Sequence, residues 1–134
     1  YGLAPRTPIE DMVRQVLRAL AWLHLRADRY ALDPERIFVC GHSAGGHLTA
    51  MSMAALWPVL DPQLPPDLVK GGVAISGLYD LEPLLHAPFV NGDLQLTPER
   101  VARLSPIHLP AATAAPLVTA VGALESSEFQ RQNA

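Results

Sequence analysis

The sequence predicts an α/β fold, a three-layer α/β/α sandwich around a mostly parallel β-sheet. Short apolar runs without charged residues occur at Ile37–Cys40, Gly72–Ser76 and Pro116–Gly122, as is typical of strands in a parallel sheet. Segments with helical periodicity separate these runs, and each connection is long enough for a parallel crossover. The chain has 134 residues and no internal repeat, so we expect a single domain over residues 1–134.

The first helix has a predicted start and a predicted buried face. Thr7 is the expected N-cap, Pro8 the first helical residue and Glu10 the partner that closes a capping box. Apolar residues then recur at spacings of three and four from Ile9 to Leu23, and the helix is expected to run to about Arg29. This apolar stripe predicts that the helix packs onto the sheet.

The later elements follow from apolar runs, caps and proline breaks. Turns or loops are predicted at Asp33–Pro34, Pro58–Pro66 and Pro110–Ala115. The strand Ile37–Cys40 is expected to be buried on both faces, with Cys40 as a small core residue. We predict helices at Ala44–Trp57, Leu81–Leu85 and Thr97–Leu104, an irregular stretch at Ala87–Gln95, and the first turns of a terminal helix at Ser126–Gln132.

A Gly-x-Ser-x-Gly motif joins the first strand to the following helix. In this context the motif indicates a nucleophile elbow, with Ser43 at its tip in a strained conformation. We expect Gly41 and Gly45 to approach so closely that side chains at either position would collide. The backbone N–H of Ala44 is the expected oxyanion donor, because it opens the helix. The alternative interpretation is an ordinary glycine- and serine-rich loop.

A nucleophilic serine needs a base and a carboxylate that orients the base. In the chain order Ser, acid, His, the acid follows a later strand. Glu125 lies just after the third predicted strand and is the expected acid. Glu128, one helical turn further, is the second candidate, and a surface carboxylate without a catalytic role is the alternative for either.

No histidine occupies the position expected for the base. All five histidines precede Glu125. Packing or surface roles are expected for His24, His42 and His47, whereas His86 and His108 lie in loops, where either could line a pocket. His42 is adjacent to Ser43 and cannot turn back onto its neighbour's hydroxyl. No metal or cofactor is required by this chemistry, and none is expected.

Composition argues against several other classes of protein. The net charge of −3, without a basic cluster, gives no electrostatic basis for nucleic-acid binding. No apolar stretch is long enough to span a bilayer, and no secretory signal pattern opens the chain. A single cysteine excludes an internal disulfide, so a cytoplasmic location is expected.

The motifs together resemble those of the α/β-hydrolase esterases, and within them the kynurenine formamidase (arylformamidase)-like group. The resemblance rests on Tyr1–Pro5 with its following helix, Asp33–Ile37, Gly41–Leu48, Ser76–Leu81 and Glu125–Gln132. It implies that Glu125 is the triad acid, at a position where aspartate is more usual. It covers the middle of the family's fold, so the family's His-Gly-Gly oxyanion segment and catalytic histidine have no counterpart in residues 1–134.

Two functions from different classes follow from these observations. The first is a serine hydrolase that acts on a small carboxylic ester or aryl formamide. The second is a non-catalytic binding module that retains the hydrolase scaffold, which the missing histidine favours. Because an incomplete sheet leaves bare edges and faces, we also expect self-association or complementary segments.

Overall fold

The computed structural model describes residues 1–134 and centres on a three-stranded parallel sheet. Its strands are β1 (Phe38–His42), β2 (Gly71–Ile75) and β3 (Leu117–Ala120), in the order β1-β2-β3. Cys40 pairs with Val73, which in turn pairs with Val118. Because all strands run in the same direction, their carboxyl ends meet at one edge of the sheet, where ligands of such sheets bind.

Seven helices and three short 3₁₀ segments connect the strands. The helices are α1 (Ile9–Leu25), α2 (Ala44–Met53), α3 (Trp57–Leu60), α4 (Glu82–Leu85), α5 (Pro88–Leu94), α6 (Pro98–Leu104) and α7 (Ser127–Gln132). The 3₁₀ segments are Ala27–Tyr30, Pro34–Arg36 and Pro106–His108. No helix combines the length and apolarity needed to cross a bilayer.

Several element boundaries differ from the sequence prediction. Helix α1 ends at Leu25 rather than near Arg29, because the chain tightens into a 3₁₀ turn. Helix α2 ends at Met53, before a separate turn of helix at Trp57. The stretch predicted to be irregular contains α5, whose proline and glycine residues gave it the composition of a loop.

The cap predicted for α1 is also wrong. Pro8 occupies the N-cap position, and no side chain caps the helix. Glu10 instead forms a two-pronged ion pair with Arg100 of α6, with Nε–Oε1 and Nη2–Oε2 distances of 2.8 and 2.7 Å. A planar guanidinium satisfies both oxygens of a carboxylate, which outweighs one capping hydrogen bond. In α6, by contrast, Thr97 is the N-cap, and its side chain accepts from the Arg100 N–H.

Helix α2 lies at the centre of the core. It contacts both β1 and β2, and α1 packs against it. Two apolar clusters flank it, one around Ile9, Val13, Leu48, Leu81, Leu96, Val101 and Leu104, the other around Leu20, Ala21, Met53, Trp57, Leu64, Leu68 and Val69. Burying each leucine, isoleucine, valine or methionine side chain among them contributes about 1.5–3 kcal/mol. Because these clusters fix α2, they also fix the position of Ser43, the residue directly before it.

The face of the sheet away from α2 is open. Its side chains include Phe38, Val73 and Val118, which are 64%, 41% and 56% exposed. Cys40 is exposed as well, so it is not a core residue. The expectation that β1 is buried on both faces is therefore wrong for this chain, although the α/β class and the parallel sheet are confirmed.

Candidate active site

Ser43 connects β1 to α2 in a strained backbone conformation. Its φ and ψ are 56° and −117°, a region that residues with a side chain rarely adopt and that costs about 1–3 kcal/mol. Its N–H donates to the Ile75 carbonyl at 2.9 Å, and its carbonyl accepts from the His47 N–H at 3.1 Å. The turn is therefore held by the neighbouring strand on one side and by α2 on the other.

The glycines of the turn have different roles. A Cβ placed on Gly41 would lie 2.3 Å from the carbonyl oxygen of Gly45, so the close approach expected there is present. A Cβ on Gly45 would meet no atom within 4 Å, so the expectation of a collision at Gly45 is wrong. Gly46, which the sequence argument did not single out, fills that role, because its Cβ would lie 2.7 Å from Gly77 Cα.

The tip of the turn presents a free hydroxyl and a free N–H. Ser43 is partly buried, and its side chain makes no hydrogen bond within the chain. Ala44 is exposed and is the first residue of α2, where a backbone N–H has no acceptor inside the helix. The dipole of α2 directs partial positive charge to the same place. The geometry thus offers an anion-stabilising donor beside a serine hydroxyl.

Glu125 lies in the loop between β3 and α7. Its Oε1 accepts hydrogen bonds from the Ser76 hydroxyl at 2.5 Å and from the Gly122 N–H at 3.0 Å. Its Oε2 accepts none. These two donors, Ser76 foremost, hold the pKa of Glu125 below its ordinary value, and the nearby His42 lowers it further. The carboxylate is therefore anchored by one oxygen and charged at neutral pH.

Glu128, the second candidate acid, is engaged in an ion pair on α7. Its Oε1 accepts from Arg131 Nη2 at 2.7 Å and from Gln132 Nε2 at 2.8 Å, and its Oε2 accepts from Arg131 Nε at 2.9 Å. These hydrogen bonds lower the pKa of Glu128 to about 2. Both of its oxygens are thus already bound, in contrast to Glu125.

No histidine ring forms a hydrogen bond with the side chain of Ser43 or Glu125. His47 is buried and bonds the Leu104 carbonyl through Nε2 at 2.7 Å, which ties α2 to the end of α6. His86 faces Glu82 at 3.3 Å, His24 lies within α1, and His42 and His108 are exposed. No group of His, Cys, Asp or Glu side chains is arranged to hold a metal ion.

An apolar cavity of the chain lies away from Ser43. It has a volume of about 370 Å³ and lies between α2, β3 and the end of α7, against Met53, Tyr79 and Leu117. Neither Ser43 nor Glu125 lines it. The two residues instead stand at the carboxyl edge of the sheet, at the ends of β1 and β3, with Ser76 at the end of β2 between them.

A parallel sheet with a Gly-x-Ser-x-Gly turn between a strand and a helix is the arrangement of the α/β hydrolases. A sequence profile described as alpha/beta hydrolase fold matches residues 1–131. The chain belongs to this family.

Individual relatives agree with this assignment. Kynurenine formamidase of Danio rerio is 32% identical over 138 residues, which cover 99% of this chain and 44% of the relative. "Probable carboxylic ester hydrolase LipM" of Mycobacterium tuberculosis is 39% identical over 93 residues, covering 65% of this chain and 21% of that protein. A solved structure from Silicibacter sp. tm1040 has a TM-score of 0.81 and 28% identity, covering 99% of this chain and 47% of that chain. The resemblance to esterases and formamidases predicted from the sequence is confirmed, and the chain spans less than half the length of the formamidase relative.

Proposed function

We propose that the protein is a serine hydrolase that cleaves a carboxylic ester or an aryl formamide. The observation that carries the proposal is Ser43, which is held at positive φ between β1 and α2 with an unbonded hydroxyl beside the free N–H of Ala44. A protein maintains such a strained residue only when the surrounding structure enforces it, and active sites are where this strain concentrates.

In the proposed reaction the Ser43 oxygen attacks the substrate carbonyl and loses its proton to a histidine. The Ala44 N–H donates to the oxyanion of the tetrahedral intermediate, which collapses as the histidine protonates the leaving alcohol or amine. Water then attacks the acyl group on Ser43 by the same route and releases the acid. Glu125 orients the histidine, which is not supplied by residues 1–134.

The relatives support the substrate class. A formamidase and a carboxylic ester hydrolase are both among them, and both names describe cleavage at a carbonyl carbon. An elbow that activates serine serves either leaving group, because the attacking atom and the oxyanion are the same. A panel of p-nitrophenyl esters together with N-formylkynurenine would identify the acyl and leaving groups that the protein accepts.

Fluorophosphonate labelling tests the proposal. The polypeptide expressed from the full coding region that contains these residues is treated with the probe, beside its Ser43→Ala and Ser127→Ala variants. Ser127 is an exposed serine on α7, so its variant is a matched control. We expect labelling in the unchanged protein and in Ser127→Ala, and none in Ser43→Ala.

Two results would contradict this proposal. Labelling that survives Ser43→Ala would move the nucleophile elsewhere. No labelling of the unchanged protein would favour the alternative, a binding module on a hydrolase scaffold. The 134 residues alone are expected to show little turnover, because loss of a triad member costs several orders of magnitude.

A further inference from the structure

Ser76 is a buried serine that contacts the candidate acid. It follows β2, is 1% exposed and has a φ of 47°, so its backbone, like that of Ser43, is in the left-handed region. Its N–H donates to the Ala120 carbonyl at 2.6 Å, and its hydroxyl donates to Glu125 Oε1 at 2.5 Å. Both the backbone and the side chain of Ser76 are therefore fastened to β3 and its loop.

A second set of contacts holds the two loops together. The Gln132 side chain of α7 accepts from the Tyr79 and Asp80 N–H groups at 2.7 and 3.0 Å, and donates to the Asp80 carbonyl at 3.0 Å. Arg131 adds an ion pair to the Asp80 carboxylate at 2.9 Å. The loop after Ser76 is thus tied to the helix after Glu125 independently of the Ser76 hydroxyl.

We propose that Ser76 is a positioning residue of the hydrolase, whose buried hydroxyl fixes Oε1 of Glu125 so that Oε2 faces the catalytic histidine. The inference rests on the proposed function. The two oxygens of Glu125 differ in their hydrogen bonds, because Oε1 accepts from two donors and Oε2 accepts from none. This difference is the basis of the inference. An acid that orients an imidazole needs one oxygen free and a fixed direction for it.

Electrostatics agree with this geometry. The hydrogen bond from Ser76 is the largest cause of the lowered pKa of Glu125. A carboxylate that stays charged stabilises the imidazolium formed during catalysis. Glutamate also has one more methylene than the aspartate usual at this position, and the Ser76 hydroxyl restrains the additional freedom that this methylene brings.

The ionisation of Glu125 provides a test that does not depend on activity. Carboxylate ¹³C shifts of the 134-residue chain are followed against pH by NMR, with Glu125→Gln identifying the Glu125 signal. Ser76→Ala and Ser76→Gly both remove the hydroxyl, and glycine in addition accepts the positive φ without strain. Ser52→Ala is the matched control, because Ser52 is equally buried but donates to the Leu48 carbonyl on α2.

We expect the pKa of Glu125 to rise in both Ser76 variants and to stay unchanged in Ser52→Ala. An unchanged pKa in Ser76→Gly would overturn the inference. If neither Ser76 variant folds, the Ser76 hydroxyl proton of the unchanged chain decides: we expect slow exchange with water and a contact with the Glu125 side chain. Rapid exchange of this proton would equally overturn the inference.

A kinetic test connects the contact to catalysis. In the protein from the full coding region, Ser76→Gly is expected to lower kcat about 10-fold to 100-fold with little change in KM, because a hydrogen bond to a charged group is lost. The acid limb of the pH–kcat profile should shift with it. If Ser43 is labelled normally and Ser76→Gly leaves kcat unchanged, this inference alone is overturned. If Ser43 is not labelled in the unchanged protein, the proposed function is overturned as well.

Discussion

Two serines stand side by side at the carboxyl edge of the sheet, both at positive φ but in different surroundings. Ser43 follows β1 and Ser76 follows β2, with φ values of 56° and 47°. The Ser43 hydroxyl is unbonded and precedes a helix, whereas the Ser76 hydroxyl is buried and bound to Glu125. The two turns are linked, because the Ser43 N–H donates to the carbonyl of Ile75, the residue before Ser76. A strained turn therefore does not by itself define a nucleophile; what surrounds the hydroxyl does.

The largest expected effect concerns Glu125, the carboxylate that accepts a hydrogen bond from Ser76. Glu125→Gln in the protein from the full coding region keeps the shape of the side chain but removes the charge that orients the histidine. We expect a fall in kcat of about 10,000-fold, as for amide replacement of a triad acid. The measurement is initial-rate kinetics on a p-nitrophenyl ester, with folding checked by circular dichroism. A loss below about tenfold would place the acid elsewhere.

The next largest effect is expected from a steric clash in the Ser43 turn. Gly41→Ala places a Cβ against the Gly45 carbonyl, and this contact is with backbone that cannot move without shifting α2. We expect the free energy of unfolding to fall by about 3 kcal/mol. Gly45→Ala is the control: it has open space and gains helix propensity of up to about 1 kcal/mol. Urea unfolding of both variants decides, and equal losses would contradict the geometry of the turn.

The two serines should respond to glycine with opposite signs. Ser43→Gly relieves the strain of positive φ without losing a hydrogen bond, so after the entropy cost of glycine we expect a gain of about 1 kcal/mol. Ser76→Gly relieves similar strain but also removes a buried donor, so we expect a loss of stability. Thermal unfolding of the two variants measures the difference. Changes of the same sign would mean that the surroundings of the serines do not dominate.

These contrasts also explain what could be predicted from the sequence. The Ser43 turn was predictable because Gly41, Ser43 and Ala44 lie within four consecutive residues and form a local motif. The Ser76–Glu125 contact joins residues 49 positions apart, and the Glu10–Arg100 pair spans 90, so neither leaves a local pattern. The same reason explains the failed cap at Glu10. For Ser76 the only local signal was a Ser-Gly pair at the end of a strand.

The stability of the protein should depend on pH in two separate ranges, one from His47 behind the Ser43 turn and one from Glu125 beside the Ser76 turn. Burial lowers the pKa of His47, which anchors α2 behind Ser43, below its ordinary value of 6.5. The unfolded chain then binds a proton that the folded chain resists, so stability present above pH 6.5 is lost as the pH falls toward the folded pKa. Glu125 acts in a lower window, below its ordinary value of 4.5. In His47→Gln, the free energy of unfolding should no longer fall in the higher pH range, whereas its fall in the lower range should remain. An unchanged fall in the higher range would contradict the assignment to His47.

The smallest expected effect comes from Glu128, because its low pKa reflects an exposed pair. Glu128 and Arg131 side chains are 40% and 52% exposed, so solvent screens most of the interaction. We expect Glu128→Gln to change the free energy of unfolding by less than about 1 kcal/mol, and the change to vanish in about 1 M salt. Because both oxygens of Glu128 are occupied within α7, kcat should change little in this variant. A fall in kcat like that of Glu125→Gln would show instead that α7 rearranges and that Glu128 orients the base.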